Sequence, residues 1–229
     1  MSTPEPAQLS SVSQDYLKVI WSATEWEDRP VTTKMLAARL GVGASTVSET
    51  VRRLADSGLV THEPYGAVGL TAAGRGLALA MVRRHRLVET FLVEVLGYGW
   101  DEVHDEAEVL EHAVSDVFVE RLAAHLGHPS RDPHGDPIPG PDGSFDAPPA
   151  SLLWDVEPGR WHVARISDAD PELLRYVESV DLVLDAAVEV VARREAIGVV
   201  SVRVGPDARA VELGEVAARA IWLVADAQP

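Results

Sequence analysis

The sequence predicts a mainly α protein with a small β portion: an N-terminal winged helix-turn-helix, a helical middle domain and a C-terminal small β-barrel. Three observations predict this fold class. Apolar residues recur at helical spacing between Leu9 and Leu126. Two short β-branched runs follow the third predicted helix and flank a turn rich in proline and glycine. Several further short β-branched runs lie between residues 151 and 229.

The composition is typical of a soluble globular chain of one to two domains, with 229 residues of which 46% are hydrophobic and 24% charged. Because the sequence has no cysteine, disulfides and thiolate metal sites are excluded, and histidine, carboxylate, carbonyl or water must hold any metal. Met1 to Gln14 lacks the apolar core of a signal peptide, and no apolar run reaches about 18 residues. We therefore expect a cytoplasmic protein that has no membrane partner.

Charge is distributed unevenly along the chain. The formal net charge of −16 argues by itself against nucleic-acid binding. Residues 29–86, however, contain nine Lys or Arg and three Asp or Glu, a local charge of +6 that leaves −22 for the remainder. A basic segment inside an acidic protein indicates a DNA-binding domain.

Three helices are predicted in the N-terminal segment. The first runs from Leu9 to about Glu27, and the second from Thr32 to Leu40. Gly41 suits the left-handed conformation that ends a helix. The third helix runs from about Gly43 to Ser57. Two short helices joined by a glycine-containing turn are typical of a helix-turn-helix, although a generic helical hairpin has the same apolar pattern.

The third helix is predicted to bury Val47, Val51 and Leu54 and to leave short polar side chains on its other faces. Such a helix fits the DNA major groove. The predicted base-edge contacts are Ser45, Thr46 and Ser48, and the predicted phosphate contacts are Lys34, Arg52 and Arg53. Two strands around Pro64 to Ala67 then form a hairpin, or wing, and this combination is more specific for DNA binding than the helices alone.

The middle domain contains the predicted metal ligands. A long helix from Thr71 to Leu96 carries His85 and Glu89 at i, i+4. An acidic helix from Asp101 to about Ala113 carries four further candidates on one face, at i, i+4, i+7 and i+8: His104, Glu108, Glu111 and His112. Two such helices facing each other would hold a divalent metal. The alternative interpretation is a solvated acidic face with structural histidines, which would show the same spacing.

The remaining segments predict an apolar helix, a linker and a β domain. The helix from Ser115 to Leu126 has an apolar face that suits a dimer surface. Residues 127–150 contain seven prolines and four glycines, which predicts an extended linker. His134 is interpreted as a surface histidine of this linker, and a metal role for it is an alternative without support from the sequence. Five strands are predicted at Trp161 to Ile166, Ala187 to Val191, Val199 to Val204, Ala210 to Leu213 and Arg219 to Val224, with a helix from Pro171 to Val180 that Asp170 caps.

Several stretches carry a family resemblance: Asp15-Tyr16-Leu17, Thr46-Val47-Ser48 with Leu59-Val60, Arg84 to Glu89, Val103 to Ala107, Glu111-His112 with Ser115-Asp116, and Pro133 to Pro139. On these the chain resembles the diphtheria toxin repressor family of metal-dependent transcriptional repressors over essentially its whole length. The resemblance implies a winged helix-turn-helix at 1–73, a helical metal-binding and dimerisation domain at 74–127, a Pro-rich linker at 128–150 and an SH3-like domain at 151–229.

The resemblance also implies the ligands of two metal sites. One site would use His85, Glu89 and His104, and the other Asp15, Glu108, Glu111 and His112. Without the resemblance, the simplest interpretation of Asp15 is an acidic residue near the start of a helix, where the helix dipole stabilises a negative charge. The SH3-like module can lend a ligand in this family, for which Asp170 or Glu172 is a candidate by position, although capping is the expected role of Asp170.

The predicted metal is Mn²⁺. The iron-responsive branch of the family has Met at the Asp15 position and Cys at the Glu108 position, whereas this chain has carboxylates there, as in the manganese-responsive branch. Hard oxygen ligands favour Mn²⁺. Fe²⁺ is the alternative metal in the cell. Zn²⁺, Co²⁺ or Ni²⁺ could also bind in vitro. The small manganese regulators carry a Glu one turn after the Asp, where this chain has Lys18, and this departure argues against a binuclear manganese site.

The predicted function is a Mn²⁺-dependent repressor of metal-homeostasis genes that binds palindromic double-stranded operator DNA as a homodimer when metal-loaded. An iron-dependent repressor of the same family is the alternative. A manganese-dependent metallohydrolase is the alternative from another class, but the sequence lacks both His-Glu-x-x-His and His-x-x-Glu-His. A metal-buffering protein would leave the basic wing unexplained. We therefore expect no enzyme activity.

Overall fold

The structure, a computed structural model, describes residues 9–26, 30–62, 66–205 and 209–226. It forms two compact units: residues 1–85, 110–121 and 139–144 make the first, and residues 86–109, 122–138 and 145–229 make the second. Within the described ranges, no helix combines the length and the apolar character needed to cross a membrane.

The first unit contains the predicted winged helix-turn-helix. Its helices and strands are α1 (Ser11–Glu25), α2 (Thr33–Leu40), α3 (Ala44–Asp56), β1 (Val60–His62) and β2 (Val68–Leu70). Ser10 caps α1 by accepting from the Ser13 N–H, and Thr32 caps α2 by accepting from the Met35 N–H. Gly41 ends α2 at φ +66°, as predicted. Strands β1 and β2 pair antiparallel, while residues 63–65 of the predicted wing turn lie outside the described part of the chain.

Three helices follow the wing: α4 (Ala72–Glu94), α5 (Val103–Leu110) and α6 (Asp116–His125). The prediction that one helix continues to Ala113 is wrong, because α5 ends at Leu110. The Leu110 carbonyl accepts from the Ala113 N–H at 2.9 Å and from the Val114 N–H at 3.2 Å, so the chain turns there. Glu111 and His112 therefore lie beyond the helix, and the predicted stripe of four ligands on one helical face does not form.

The second unit contains the small β domain. Its elements are β3 (Ser151–Leu152), β4 (Gly159–Ile166), α7 (Pro171–Ser179), β5 (Ala187–Arg194), β6 (Val199–Val204), β7 (Arg209–Gly214), α8 (Glu215–Ala218) and β8 (Ile221–Ala225). The strands form an antiparallel sheet in the order β3-β8-β4-β5-β6-β7. The core includes Val163, Leu174, Val200 and Leu213. The five predicted strands and the predicted helix are present, whereas the sequence did not indicate β3 and α8.

Part of the predicted extended linker is packed into the second unit. His134, predicted at the surface, is fully buried, and Asp132 and Asp136 nearby are also buried. The Asp132 carboxylate accepts from the N–H groups of His134 and Asp136 at 2.8 and 2.9 Å. Arg86 donates to the Pro137 carbonyl at 2.6 Å. Side chains thus replace the backbone partners that proline cannot provide, which lets this segment be buried.

Candidate metal centres

The first cluster lies within the first unit and joins α1 to the turn after α5. Asp15, Glu111 and His112 each offer a ligand atom, and these atoms lie within 4.8 Å of one another. His112 Nε2 is 2.9 Å from Asp15 Oδ1 and 3.6 Å from Glu111 Oε1. Two carboxylates and one imidazole at this separation are suitable ligands for a divalent cation.

Glu111 is the buried acid of this cluster, with an exposed fraction of 0%. Lys18 Nζ donates to its Oε1 at 2.6 Å, and His85 Nδ1 lies 2.5 Å from its Oε2. Burial acts to raise the pKa of Glu111, but the hydrogen bond and charge of His85, together with the Lys18 ammonium, outweigh it and lower that pKa. Glu111 is therefore held as a carboxylate, the form in which it binds a cation.

The second cluster lies within the second unit and was predicted only in part. Glu89 from α4, His134 from the buried loop and Asp168 after β4 offer ligand atoms within 4.8 Å of one another. His134 Nε2 is 2.7 Å from the Trp100 carbonyl oxygen, so it carries the proton and donates. The lone pair is then on Nδ1, which is buried and has no hydrogen-bond partner among the described residues. A buried orphan acceptor beside two carboxylates fits a bound cation.

His104 and Glu108 adjoin this cluster. His104 Nδ1 lies 3.1 Å from Asp168 Oδ2 and 3.3 Å from Glu89 Oε1, and its Nε2 lies 3.4 Å from Glu108 Oε1. The hydrogen bond to Asp168, followed by that to Glu89, raises the pKa of His104 to about 11. Burial acts to raise the pKa of Asp168, but the hydrogen bond from His104 outweighs it and lowers that pKa. A cationic His104 therefore balances the carboxylates in the metal-free protein.

The structure thus places the predicted ligands in two groups and adds others. Asp15, Glu111 and His112 come together in the first unit, with His85 on Glu111. Glu89, His104 and Glu108 come together in the second unit. Asp168 was not among the predicted ligands, and His134 was predicted at the surface, although both lie in this group. Asp170, whose expected role was capping, does cap α7 by accepting from the N–H groups of Glu172 and Leu173.

The six predicted DNA contacts are all exposed: Lys34, Ser45, Thr46, Ser48, Arg52 and Arg53. On α3, Val47, Thr50, Val51 and Leu54 are buried, so the opposite faces of the helix are available to a ligand. The Ser48 hydroxyl donates to the Ala44 carbonyl at 2.9 Å within the helix, which leaves its oxygen able to accept.

Comparison with known proteins identifies the family to which each segment is similar. Residues 8–68 match the family model of the iron-dependent repressor N-terminal DNA-binding domain, residues 71–140 that of the iron-dependent repressor metal-binding and dimerisation domain, and residues 153–225 the FeoA domain. A solved manganese-dependent transcriptional repressor in complex with manganese is 61% identical, with a TM-score of 0.89, over 93% of this chain and 99% of that one. The manganese regulator SloR is 34% identical, with a TM-score of 0.79, over 93% of this chain and 98% of that one.

A curated relative, the iron-dependent repressor IdeR of Mycobacterium tuberculosis, is 39% identical over 133 residues, which are 58% of this chain and 57% of IdeR. The chain thus spans little more than half the length of the curated relatives that it matches. Three family models match in order along the chain. A repressor structure is also highly identical to it over almost its full length. The chain belongs to the iron-dependent repressor family, which includes the diphtheria toxin repressor.

Proposed function

We propose that this protein is a Mn²⁺-dependent transcriptional repressor, not an enzyme, that binds palindromic operator DNA in the cytoplasm as a metal-loaded homodimer and controls metal-homeostasis genes. One observation carries the proposal. The first cluster joins Asp15, on the N-terminal helix of the DNA-binding domain, to Glu111 and His112, which follow α5 in the segment that matches the dimerisation domain. These candidate metal ligands would connect the DNA-binding part of the chain to the part that matches the dimerisation domain.

The donor chemistry supports Mn²⁺ as the metal. Asp15, Glu111 and His112 would hold one ion, and Glu89, His134 and Asp168 another, with His104 and Glu108 beside it. These ligands are carboxylates and imidazoles, and no thiolate is available. Such donors suit a hard divalent ion better than the softer ions that sulfur ligands select. The 61% identical repressor was solved with manganese.

The mechanism that we propose is control of DNA binding by positioning. Asp15, Glu111 and His112 would hold the ion, and the bound ion would keep α1 against the turn after α5. In a dimer this would place two copies of α3 at successive major grooves, about 34 Å apart. Arg52, Arg53 and Lys34 would contact phosphates, while the short polar side chains of α3 approach base edges. Without metal the spacing of the two copies of α3 would vary, and affinity for DNA would fall with the fraction of competent molecules.

The test is equilibrium binding to a palindromic promoter fragment at fixed salt with Mn²⁺, Fe²⁺, Zn²⁺ or chelator. We expect tight binding with Mn²⁺ and weak binding with chelator. An equal response to Fe²⁺ would preserve the repressor function and overturn the choice of manganese. Binding that is the same with every metal and with chelator would overturn metal control altogether.

A second experiment tests the role of Asp15. Asp15→Ala removes one ligand from a half-buried position, so the fold should survive while Mn²⁺-dependent DNA binding is lost. Circular dichroism and operator affinity measure these two effects separately. Operator affinity equal to that of the wild type would contradict the proposed link between α1 and the residues after α5.

A further inference from the structure

Gln14 lies directly before Asp15 on α1, and its exposed fraction is only 6%. Its carboxamide lies between two polar groups of the first unit. Nε2 donates to the Leu9 carbonyl at 3.2 Å, and Oε1 is 2.7 Å from His112 Nδ1. A buried amide in contact with a candidate metal ligand is therefore part of the surroundings of the first cluster.

The Leu9 contact fixes the orientation of the amide. A carbonyl oxygen only accepts, so the amide NH₂ must face Leu9 and the amide oxygen must face His112. The amide oxygen also only accepts, and His112 Nδ1 must therefore carry the proton and donate. His134 Nε2 carries its proton for the same reason, because it faces the Trp100 carbonyl.

The other imidazole nitrogen faces the first cluster. His112 Nε2 is 2.9 Å from Asp15 Oδ1 and 3.6 Å from Glu111 Oε1, so it lies among the candidate ligand atoms. A protonated Nε2 cannot bind a metal ion, because binding uses its lone pair. When the single proton of the neutral ring is donated from Nδ1 to Gln14 Oε1, the lone pair of Nε2 faces the cluster.

We propose that Gln14 is a positioning residue of the first metal site: it holds the His112 ring and keeps the proton on Nδ1, so that Nε2 is the metal donor. The inference rests on the proposed function, since it concerns the same site. Histidine ligands in metal sites commonly donate their other N–H to a protein oxygen, and loss of that partner typically weakens metal affinity about 10-fold to 100-fold.

The test compares Gln14→Leu, which removes the acceptor oxygen, with Gln14→Glu, which keeps one at the same reach. Mn²⁺ titration of the full chain should show that Gln14→Leu lowers the Mn²⁺ affinity of the first site about 10-fold or more. In Gln14→Glu the affinity should be within about 3-fold of wild type, or higher. The second cluster, in the same molecule, should keep its affinity in both variants. Thr24→Leu, an exposed position about 15 Å further along α1, is the control for adding an apolar side chain to this helix.

A spectroscopic measurement separates positioning from a general structural role. In Zn²⁺-loaded wild type, the His112 Nδ1–H should appear by NMR as a hydrogen-bonded, slowly exchanging proton. It should be lost in Gln14→Leu, retained in Gln14→Glu and unchanged in Thr24→Leu. Equal first-site affinity and an unchanged Nδ1–H signal in Gln14→Leu would overturn the role of Gln14 alone. If the wild-type protein bound no ion at the first cluster, that result would overturn the proposed function as well.

Discussion

At the scale of single residues, the buried carboxylate of Glu111 requires basic partners beside it in the first cluster. Glu111 is fully buried, and each of its oxygens faces a basic group, Lys18 on one side and His85 on the other. Lys18 is itself 6% exposed. Lys18 is the residue at which the chain departs from the pattern of the small manganese regulators, and its ammonium supplies a fixed positive charge beside Glu111. This contact supports one ion at the first cluster instead of two.

Lys18→Met should destabilise the metal-free protein by about 3 kcal/mol, because it leaves a buried carboxylate without its ammonium partner. Denaturant unfolding in chelator measures this loss. Saturating Mn²⁺ should reduce it, since a bound ion restores positive charge beside Glu111. Lys34→Met removes an exposed lysine and should change stability by less than about 0.5 kcal/mol. Equal losses in the two variants would refute the importance of the buried pair.

His134→Leu should remove one Mn²⁺ ion per chain, because Nδ1 is the donor that the Trp100 contact leaves available. Mn²⁺ stoichiometry by equilibrium dialysis checks this. The control is His125→Leu, an exposed histidine at the end of α6, which should keep the wild-type stoichiometry. Unchanged stoichiometry in both variants would exclude His134 as a ligand.

At the scale of the elements, close packing between the start of α4 and the wing fixes one glycine. A Cβ on Gly74 would lie 1.9 Å from the Leu59 carbonyl oxygen, immediately before β1. The Thr71 hydroxyl donates to the Gly58 carbonyl at 2.8 Å and accepts from the Gly74 N–H at 3.1 Å. The wing is thus attached to α4 by side-chain and backbone contacts that leave no room for a methyl group.

Gly74→Ala should therefore destabilise the protein by about 1–3 kcal/mol through overpacking, although alanine is the better helix former. Gly76→Ala, two residues later in the same helix, meets nothing within 4 Å and should stabilise by up to about 1 kcal/mol. Urea unfolding distinguishes the two. The same effect at both positions would show that helix propensity, and not packing, controls this region.

Recognition by α3 leads to a prediction for DNA. Arg52→Ala combined with Arg53→Ala should weaken binding to all DNA sequences and lower the slope of log affinity against log salt by about 2, the effect of two lost phosphate contacts. Thr46→Ala, at an exposed position earlier on the helix, should instead change the preferred base and leave the salt slope unaltered. A salt slope unchanged by the double variant would exclude these arginines from the phosphate contacts.

Local sequence patterns determine the secondary structure of this chain better than they determine its candidate sites. Helix caps, glycine stops and β-branched runs have local causes, so the winged helix-turn-helix and the five β-domain strands were predicted correctly. The end of α5 at Leu110 depends on interactions beyond the helix, among them the contacts of Glu111 with Lys18 and His85. His134 and Asp168 are brought to Glu89 by folding of distant segments, and no spacing within the sequence shows this.

At the scale of the whole molecule, the chain combines a basic DNA-binding segment with acidic clusters that would attract cations. Residues 29–86 are positive within a chain of net charge −16. The acids concentrated after this segment include members of both candidate sites. Membership of the iron-dependent repressor family gives these features one explanation, in which cations bound at the carboxylates permit the basic face to bind DNA.

The most direct test of this account is anomalous X-ray diffraction at the manganese edge from crystals grown with Mn²⁺. The account predicts two peaks per chain: one among Asp15, Glu111 and His112, and one among Glu89, His134 and Asp168. Peaks at both places would establish that the clusters are metal sites in the folded protein. The absence of a peak at either cluster, or manganese bound elsewhere, would contradict the central claim.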